Sequence, residues 1–184
     1  MHPTETAATP AAGMPAPVTT GTQATAPAPS VLARWRALSR LPLGRWLFSK
    51  LMGAMVPYAA SIDARVQQLE PGLSRVTLRD RRAVRNHLKS IHAVALTNLA
   101  ELSANLALMS RELPAGGSRW IVTGMETTYL KKARGPITAE TVLAPVDWSV
   151  PRELTGRVTL RDASNEVVMT ASQRWKTGPG RLPA

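Results

Sequence analysis

A single carboxylate, Glu101, is the side chain best suited to chemistry, because it interrupts a segment of mostly apolar residues. The apolar residues repeat at intervals of three and four, which predicts a helix over residues 91–113 that is buried nearly all round. No Lys or Arg lies within four positions of Glu101, and a buried carboxylate is costly unless it is paired. Such carboxylates are concentrated at functional sites, where they act as bases or nucleophiles. The structural alternative is a salt bridge with another chain, or a water-filled seam between two chains.

A histidine, His92, precedes Glu101 by nine residues. On a regular helix nine residues turn the chain through about 900°, so the two side chains point to opposite sides. One chain could then not present both groups to one substrate. Two antiparallel helices related by a two-fold axis could bring the histidine of one chain to the carboxylate of the other. The spacing therefore predicts a dimer if both residues serve one site.

The segments on either side of this helix alternate apolar and polar residues, as strands do. Two strands are predicted before the helix and four after it, over residues 61–70, 73–79, 120–130, 137–145, 154–162 and 167–175. A shorter helical segment precedes them all. One long helix with an antiparallel sheet predicts an α+β fold.

Two motifs resemble those of a known family. Residues 86–93 (NHLKSIHA), followed by Leu99-Ala100-Glu101, are similar to the central-helix motif of the hotdog-fold acyl-CoA thioesterase superfamily. The likeness is to its phenylacetate-type branch and to the uncharacterised relatives of that branch, which are domains of unknown function. Residues 129–135 (YLKKARG) resemble the strand-end segment that lies along the channel for coenzyme A and the acyl chain. The resemblance implies a hotdog fold, an antiparallel sheet wrapped around one long central helix.

The resemblance also implies a role for each matching residue. Glu101 would attack the thioester or activate water, and His92 with the backbone N–H of Ala93 would contact the thioester carbonyl. Asn86 matches a position where many relatives have an Asn or Gln that lines the site. Asn105 matches a position where relatives often have a Ser or Thr that holds the attacking water. The implied activity is hydrolysis of an acyl-CoA by a homodimer or a dimer of dimers.

One departure from the family motif leaves a second function open. The residues after the histidine are usually Gly-Gly, whereas this chain has Ala93-Val94. The alternative is a non-catalytic hotdog protein that binds acyl-CoA or lipid. Coenzyme A would be part of the substrate, and no separate cofactor is expected.

Basic residues near the two motifs are candidates for binding the phosphate groups of coenzyme A. The candidate substrate-binding residues are Arg82, Tyr129, Lys131, Lys132 and Arg134. Tyr129 belongs to this set because it lies in the channel-like motif. The three cations at positions 131, 132 and 134 belong to it through both the motif and their charge, and Arg82 through its charge. The alternative is a basic rim that is only solvated.

The two ends of the chain differ in composition from the domain between them. Residues 1–30 hold six Pro, eight Ala and seven Thr, so we expect a flexible tail, and we expect residues 177–184 to be flexible too. Residues 31–57 hold five basic residues, two Trp and no acid, which predicts a basic amphipathic helical segment. We expect it to pack over a hotdog domain of residues 58–176 with its arginines in solvent. The alternative is peripheral contact of residues 31–56 with an anionic membrane surface.

Composition and spacing argue against several other classes. The chain has no Cys, which removes disulfides, thiolate metal sites and cysteine nucleophiles. His87 and His92 are five residues apart, unlike the four-residue spacing of helical zinc ligands, so no metal is expected. The net charge of +11 suits nucleic acid, but the basic residues follow no reader motif, so no nucleic-acid partner is expected. The chain shows no membrane-length apolar run and no secretion signal, so we expect a cytoplasmic protein.

Overall fold

A computed structural model describes residues 30–111 and 117–180 of the chain. The helices within these ranges are α1 (Val31–Leu38), α2 (Gly44–Met55), α3 (Pro57–Ala60) and α4 (Ala93–Met109). The strands are β1 (Arg65–Glu70), β2 (Leu73–Leu78), β3 (Ser118–Tyr129), β4 (Ile137–Val142), β5 (Arg152–Arg161) and β6 (Val167–Pro179). A short 3-10 helix over Arg82–Val84 lies in the loop between β2 and α4.

The strands form one antiparallel sheet in the order β1-β2-β4-β5-β6-β3. The strand order leaves β1 and β3 as the two edges of the sheet in the described part of the chain. Helix α4 lies across β2, β4 and β5. Each strand predicted from the alternating pattern is present, with its ends shifted by at most four residues. The predicted α+β architecture, an antiparallel sheet around one long helix, is confirmed.

Helix α4 is buried because most of its positions are apolar or small. Leu99 and Ala104 have no exposed surface, and both belong to the core between helix and sheet. The helix begins two residues later than predicted because His92 is its N-cap, with a side chain that accepts a hydrogen bond from the Val94 N–H. It ends at Met109, and the last predicted residues, 112–113, lie outside the described residues.

The basic N-terminal segment forms α1 and α2, and its apolar side chains join the core of the sheet. Trp35 and Phe48 are buried and meet edge to face, with ring centroids 5.1 Å apart. Arg36, Arg40 and Arg45 are exposed. The core is continuous across the expected boundary at residue 57, so this segment is an integral part of the domain. No helix of the described residues is both long and apolar enough to cross a bilayer.

The ends of the domain differ slightly from the predicted boundaries. Ser30 is the N-cap of α1, because its hydroxyl accepts a hydrogen bond from the Ala33 N–H at 3.1 Å. The rest of the expected tail, residues 1–29, lies outside the described residues. Strand β6 continues to Pro179, three residues beyond the predicted domain end, and Thr177 is buried where it pairs with β3 and β5.

Candidate functional site

Glu101 lies between two anchored residues on one face of α4. Thr97, Glu101 and Asn105 are spaced four residues apart and share that face. The Thr97 hydroxyl lies 2.7 Å from the hydroxyl of Tyr129, at the end of β3. The Asn105 Oδ1 accepts a hydrogen bond of 3.0 Å from the indole N–H of Trp175, on β6. This side of the helix therefore faces the β6–β3 end of the sheet.

The Glu101 carboxylate is half-buried and has no ion pair or hydrogen bond with any other described residue. No cation therefore pairs with Glu101 within residues 30–111 and 117–180 of one chain, and a salt bridge with another chain stays a prediction. A half-buried carboxylate without a cationic partner is costly to the fold. The position of Glu101 therefore indicates a role other than stabilising the fold.

Glu101 opens onto a cavity of about 150 Å³ between α4 and the α2–α3 segment, which we call the inner cavity. Its apolar walls come from Met52, Met55, Val56, Leu102, Leu106 and Met109. Asn98 and Asn105 supply amide groups beside Glu101, which is the one charged residue of this lining. The carboxylate thus faces an apolar space large enough for a group the size of benzene.

His92 lines a second cavity of about 240 Å³ at the N-terminus of α4, which we call the mouth pocket. Asn98 and Tyr58 line both cavities, and the Asn98 Nδ2 donates a 3.2 Å hydrogen bond to the Tyr58 carbonyl where they adjoin. His92 and Glu101 therefore lie on the same side of the helix, whereas the helical periodicity placed them on opposite sides. The physical reason is that His92, as N-cap, has extended backbone angles (φ −65°, ψ 139°).

Distance along the helix axis separates the two groups instead. Glu101 lies eight helical rises, about 12 Å, from Ala93, the first residue of α4, and His92 lies one residue further along the chain. That His92 and Glu101 serve one thioester only across two chains stays a prediction.

The N-terminus of α4 presents hydrogen-bond donors. The His92 Nδ1 accepts from the Val94 N–H at 3.1 Å, so in a neutral imidazole the proton lies on Nε2, which can donate. The Ala93 N–H is the first of the helix and has no partner among the described residues. The positive end of the helix dipole lies at the same place. These groups suit a developing negative charge on an oxygen atom.

Backbone hydrogen bonds from distant segments hold this helix terminus in place. The His92 N–H donates to the Val84 carbonyl at 2.8 Å, and the Ile91 N–H donates to the Ala133 carbonyl at 2.9 Å. The loop before α4 and the loop after β3 therefore meet at the mouth pocket. Tyr129 lies there as well, with its hydroxyl 3.3 Å from the Ala93 carbonyl oxygen.

Asp80 ties the same two loops together. Its Oδ1 accepts from the Arg85 Nε at 2.6 Å, and its Oδ2 accepts from the Gly135 N–H at 2.9 Å. The hydrogen bond from Arg85, together with that from Gly135, holds the pKa of Asp80 below its ordinary value despite partial burial. A lowered native pKa means that the ionised carboxylate stabilises the folded state.

We predict that Asp80→Asn destabilises the protein at neutral pH by about 1–3 kcal/mol, because a charge-assisted bond is lost and the Gly135 N–H keeps a weaker partner. The wild-type advantage is complete above the ordinary aspartate pKa of about 3.9 and is lost as the pH falls through the lowered native value. Urea unfolding of the wild type and of Asp80→Asn at neutral and acid pH measures this difference in stability. Glu153→Gln, which removes an exposed carboxylate that has no ion pair with other described residues, is the control, and equal effects of the two variants at neutral pH would contradict the prediction.

Three of the predicted phosphate-binding cations are exposed and lie on these converging loops. Arg82, Lys132 and Arg134 form no ion pair with other described residues. The Ile91–Ala133 backbone bond and the bond from the Gly135 N–H to Asp80 bring these loops to the N-terminus of α4. We call the three cations the basic rim, and none of them lines the mouth pocket itself.

Lys131 differs from these three because it is already neutralised. Its Nζ lies 2.7 Å from the Asp162 Oδ2 and also contacts the Glu166 carboxylate. The hydrogen bonds that Lys131 donates to Asp162 and then to Glu166 raise the pKa of Lys131. Both carboxylates belong to the β5–β6 turn, so the sequence near Lys131 carries no sign of them.

Asn86 shapes the loop before His92. Its Oδ1 accepts hydrogen bonds from the Leu88 N–H at 2.9 Å, from the Ser90 N–H at 3.2 Å and from the Ser90 hydroxyl at 3.1 Å. The side-chain oxygen is therefore fully used within residues 86–90. Asn86 does not line either of the two cavities described above.

Sequence reasoning missed three residues that build the site. Asn98 and Tyr58 form the contact where the two cavities adjoin, and Asp80 joins the two loops. Asn98 carried a signal, since it is a polar residue in an apolar helix, and its side chain is buried. Tyr58 and Asp80 carried none, because their partners lie about 40 and 55 positions away.

Comparisons with known proteins agree with this architecture. A structural-genomics protein, APC5556, is 31% identical over 82% of this chain and 99% of its own, with a TM-score of 0.71. A Pseudomonas aeruginosa protein of unknown function, PA5026, described as a probable thioesterase, is 23% identical over 76% of this chain and 97% of its own, with a TM-score of 0.66. The PaaI protein of the Escherichia coli phenylacetic acid degradation operon is 14% identical over 76% and 96%, with a TM-score of 0.60.

A search of curated proteins finds no match to the sequence. The family described as "Domain of unknown function (DUF4442)" matches residues 44–177, from the start of α2 almost to the end of β6. Its match includes Glu101, His92 and both motifs that resemble thioesterases. The chain belongs to the DUF4442 family and has the hotdog fold of the thioesterase superfamily.

Proposed function

We propose that this protein hydrolyses the thioester bond of an acyl-CoA. The observation that carries the proposal is the half-buried Glu101, which has no partner in the described residues and lines an apolar cavity. A carboxylate held this way is available for chemistry. The donors at the N-terminus of the same helix supply the second requirement of acyl transfer, which is stabilisation of an oxyanion.

The reaction follows from these groups. The Glu101 carboxylate attacks the thioester carbon, or removes a proton from the water that attacks it. The carbonyl oxygen becomes negatively charged and accepts hydrogen bonds from the Ala93 N–H and from the His92 Nε2–H. The carbon–sulfur bond then breaks, and the thiolate of coenzyme A takes up a proton. On the water route the acyl group leaves as a carboxylic acid. On the direct route it stays on Glu101 as a mixed anhydride until a water molecule hydrolyses it, which releases the acid and restores the carboxylate. The Asn105 amide, anchored by β6, is placed beside Glu101 to orient the water.

The active form in this proposal is a homodimer. Because Glu101 lies about 12 Å along α4 from Ala93, each site combines the Glu101 of one chain with the helix N-terminus of the other. Strand β3 supports this arrangement, since it is an edge of the sheet that is 12 residues long and exposes Ile121 and Val122. Glu101 is on the side of α4 that faces this edge. A dimer of dimers would use the same paired edge.

The ligand in this proposal is an acyl-CoA with a small or aromatic acyl group. The basic rim of Arg82, Lys132 and Arg134 suits the phosphates of coenzyme A. The inner cavity, about 150 Å³, has room for a benzene-sized group but not for a long chain. The PaaI relative comes from a phenylacetic acid degradation operon, which is consistent with an aromatic acyl group. No separate cofactor takes part.

A screen of coenzyme A release tests the proposal. Purified full-length protein is given acetyl-, hexanoyl-, phenylacetyl- and palmitoyl-CoA, and free thiol is measured. We expect turnover with the hexanoyl and phenylacetyl thioesters and a much lower kcat/KM with the palmitoyl thioester. Absence of thiol release from every substrate would contradict hydrolysis.

A non-catalytic role is the second candidate, and one observation favours it. Val94 occupies the second position of the Gly-Gly in the family motif, and its exposed side chain lines the mouth pocket beside His92. A β-branched side chain there restricts the approach of a carbonyl to the helix N-terminus. Saturable binding of an acyl-CoA by calorimetry, without thiol release, would identify the protein as an acyl-CoA binder.

A further inference from the structure

The turn between α1 and α2 carries apolar side chains that the fold does not bury. Leu41, Leu43, Trp46 and Leu47 are between 43% and 80% exposed, and we call these four residues the tip. Trp46 and Leu47 lie on one face of α2, and Leu43 is the N-cap residue immediately before this helix. The opposite face holds Phe48, which is fully buried in the core. The tip is therefore an apolar surface directed away from the domain.

Leu43 is the most exposed of them and has a strained backbone. Its φ of 59° lies in the left-handed region, which side chains with a Cβ rarely adopt. The chain is packed closely at the next residue, Gly44, where a Cβ would lie 1.7 Å from the Leu38 carbonyl oxygen. Leu43 also makes no side-chain capping bond for α2. A strained leucine that is 80% exposed contributes nothing to the stability of the domain.

The surroundings of the tip are positively charged. Arg36, Arg40 and Arg45 are exposed, and none of them forms an ion pair within the described part of the chain. No acidic residue occurs between positions 30 and 62. Apolar side chains next to uncompensated arginines are the combination that binds an anionic lipid–water interface.

We propose that the tip docks this protein on an anionic membrane surface. The leucines and Trp46 enter the boundary between headgroups and acyl chains, and the arginines contact the lipid phosphates. Helix α2 packs on β1, the edge of the sheet opposite β3, so a dimer that forms through β3 leaves the tip free. This proposal is independent of hydrolysis, because no residue of the tip lines either cavity.

Sedimentation with lipid vesicles tests the docking. The full chain is mixed with vesicles of phosphatidylcholine alone, or of phosphatidylcholine with one third phosphatidylglycerol. We expect binding to the anionic vesicles at least about tenfold tighter than to the neutral ones, and weaker binding as salt rises. Equal binding to both vesicles, or none to the anionic ones at low salt, would overturn the proposal.

The variant Leu43→Asn separates docking from folding. Asn tolerates a positive φ better than Leu, so its melting temperature should equal or exceed that of the wild type. Combined with Trp46→Ser it should weaken vesicle binding at least about tenfold. The control is Val142→Asn, which removes a side chain that is 63% exposed on β4. Unchanged binding by the double variant, or an equal loss in the control, would refute a role for the tip.

A charge-matched pair of variants separates the tip from the general basicity of the chain. Arg40→Gln with Arg45→Gln should weaken binding about twenty-fivefold, at roughly fivefold for each arginine near the surface. Arg157→Gln with Arg161→Gln, on β5, removes the same charge and should have a much smaller effect. Equal effects would show non-specific attraction only. If Leu43→Asn instead abolishes self-association in sedimentation velocity, the tip is a contact between chains and the membrane proposal fails.

Discussion

The Glu101→Gln variant is expected to hydrolyse acyl-CoA at least about a thousandfold more slowly than the wild type, because the amide keeps the size of the side chain but neither attacks nor accepts a proton. The fold should be at least as stable, since the exchange removes a half-buried charge that has no partner in the described residues. Thiol release under saturating substrate measures the first effect, and thermal unfolding measures the second.

Glu153→Gln is the matched control for this experiment. Glu153 is an exposed residue of β5 outside both cavities, so the same chemical change there should leave turnover within about twofold. Wild-type turnover by Glu101→Gln would exclude Glu101 from the chemistry. A large loss of stability in Glu101→Gln would assign the carboxylate to a contact between the two chains of the dimer instead.

The second large effect is expected at the exposed edge of the sheet. Ile121→Lys places a charge on β3, where the proposed dimer pairs, and like charges opposite each other across a two-fold axis repel. We expect the variant to be a monomer at micromolar concentration and to lose at least about a hundredfold in turnover, because each site needs two chains. Analytical ultracentrifugation and the thiol assay on the same samples measure both effects.

The control for the edge variant is Val142→Lys, an equally drastic change at an exposed position of β4. It should leave both the dimer and the turnover intact. A wild-type chain that sediments as a monomer, or an Ile121→Lys monomer with full activity, would contradict a site shared between two chains.

Several features of this protein could be predicted from the sequence because they depend on neighbouring residues alone. The alternating segments became strands, and the segment with three- and four-residue spacing became α4. Glu101 was recognisable because a carboxylate in an apolar helix is costly wherever that helix packs. The uncompensated charge of the N-terminal segment was equally visible, since it needs only the order of residues 30–62.

The direction of His92 could not be predicted, because helical arithmetic applies only inside a helix. As N-cap, His92 has extended backbone angles, and its side chain therefore shares a side of α4 with Asn98. Periodicity locates a helix well but leaves its first residue uncertain by one or two positions. For a residue at that boundary, an extended backbone in place of a helical one points the side chain in a different direction.

The sequence by itself determined the elements, the lone carboxylate and the basic, Trp-bearing N-terminal segment. Only the tertiary structure decided which polar groups surround them, as in the bond of Asn98 to Tyr58 across 40 positions and that of Asn105 to Trp175 across 70. The same holds for Lys131, which the β5–β6 turn neutralises. Periodicity is a property of a few adjacent residues, whereas these contacts arise from the order of strands in the sheet, and strand order brings together side chains that no local pattern relates.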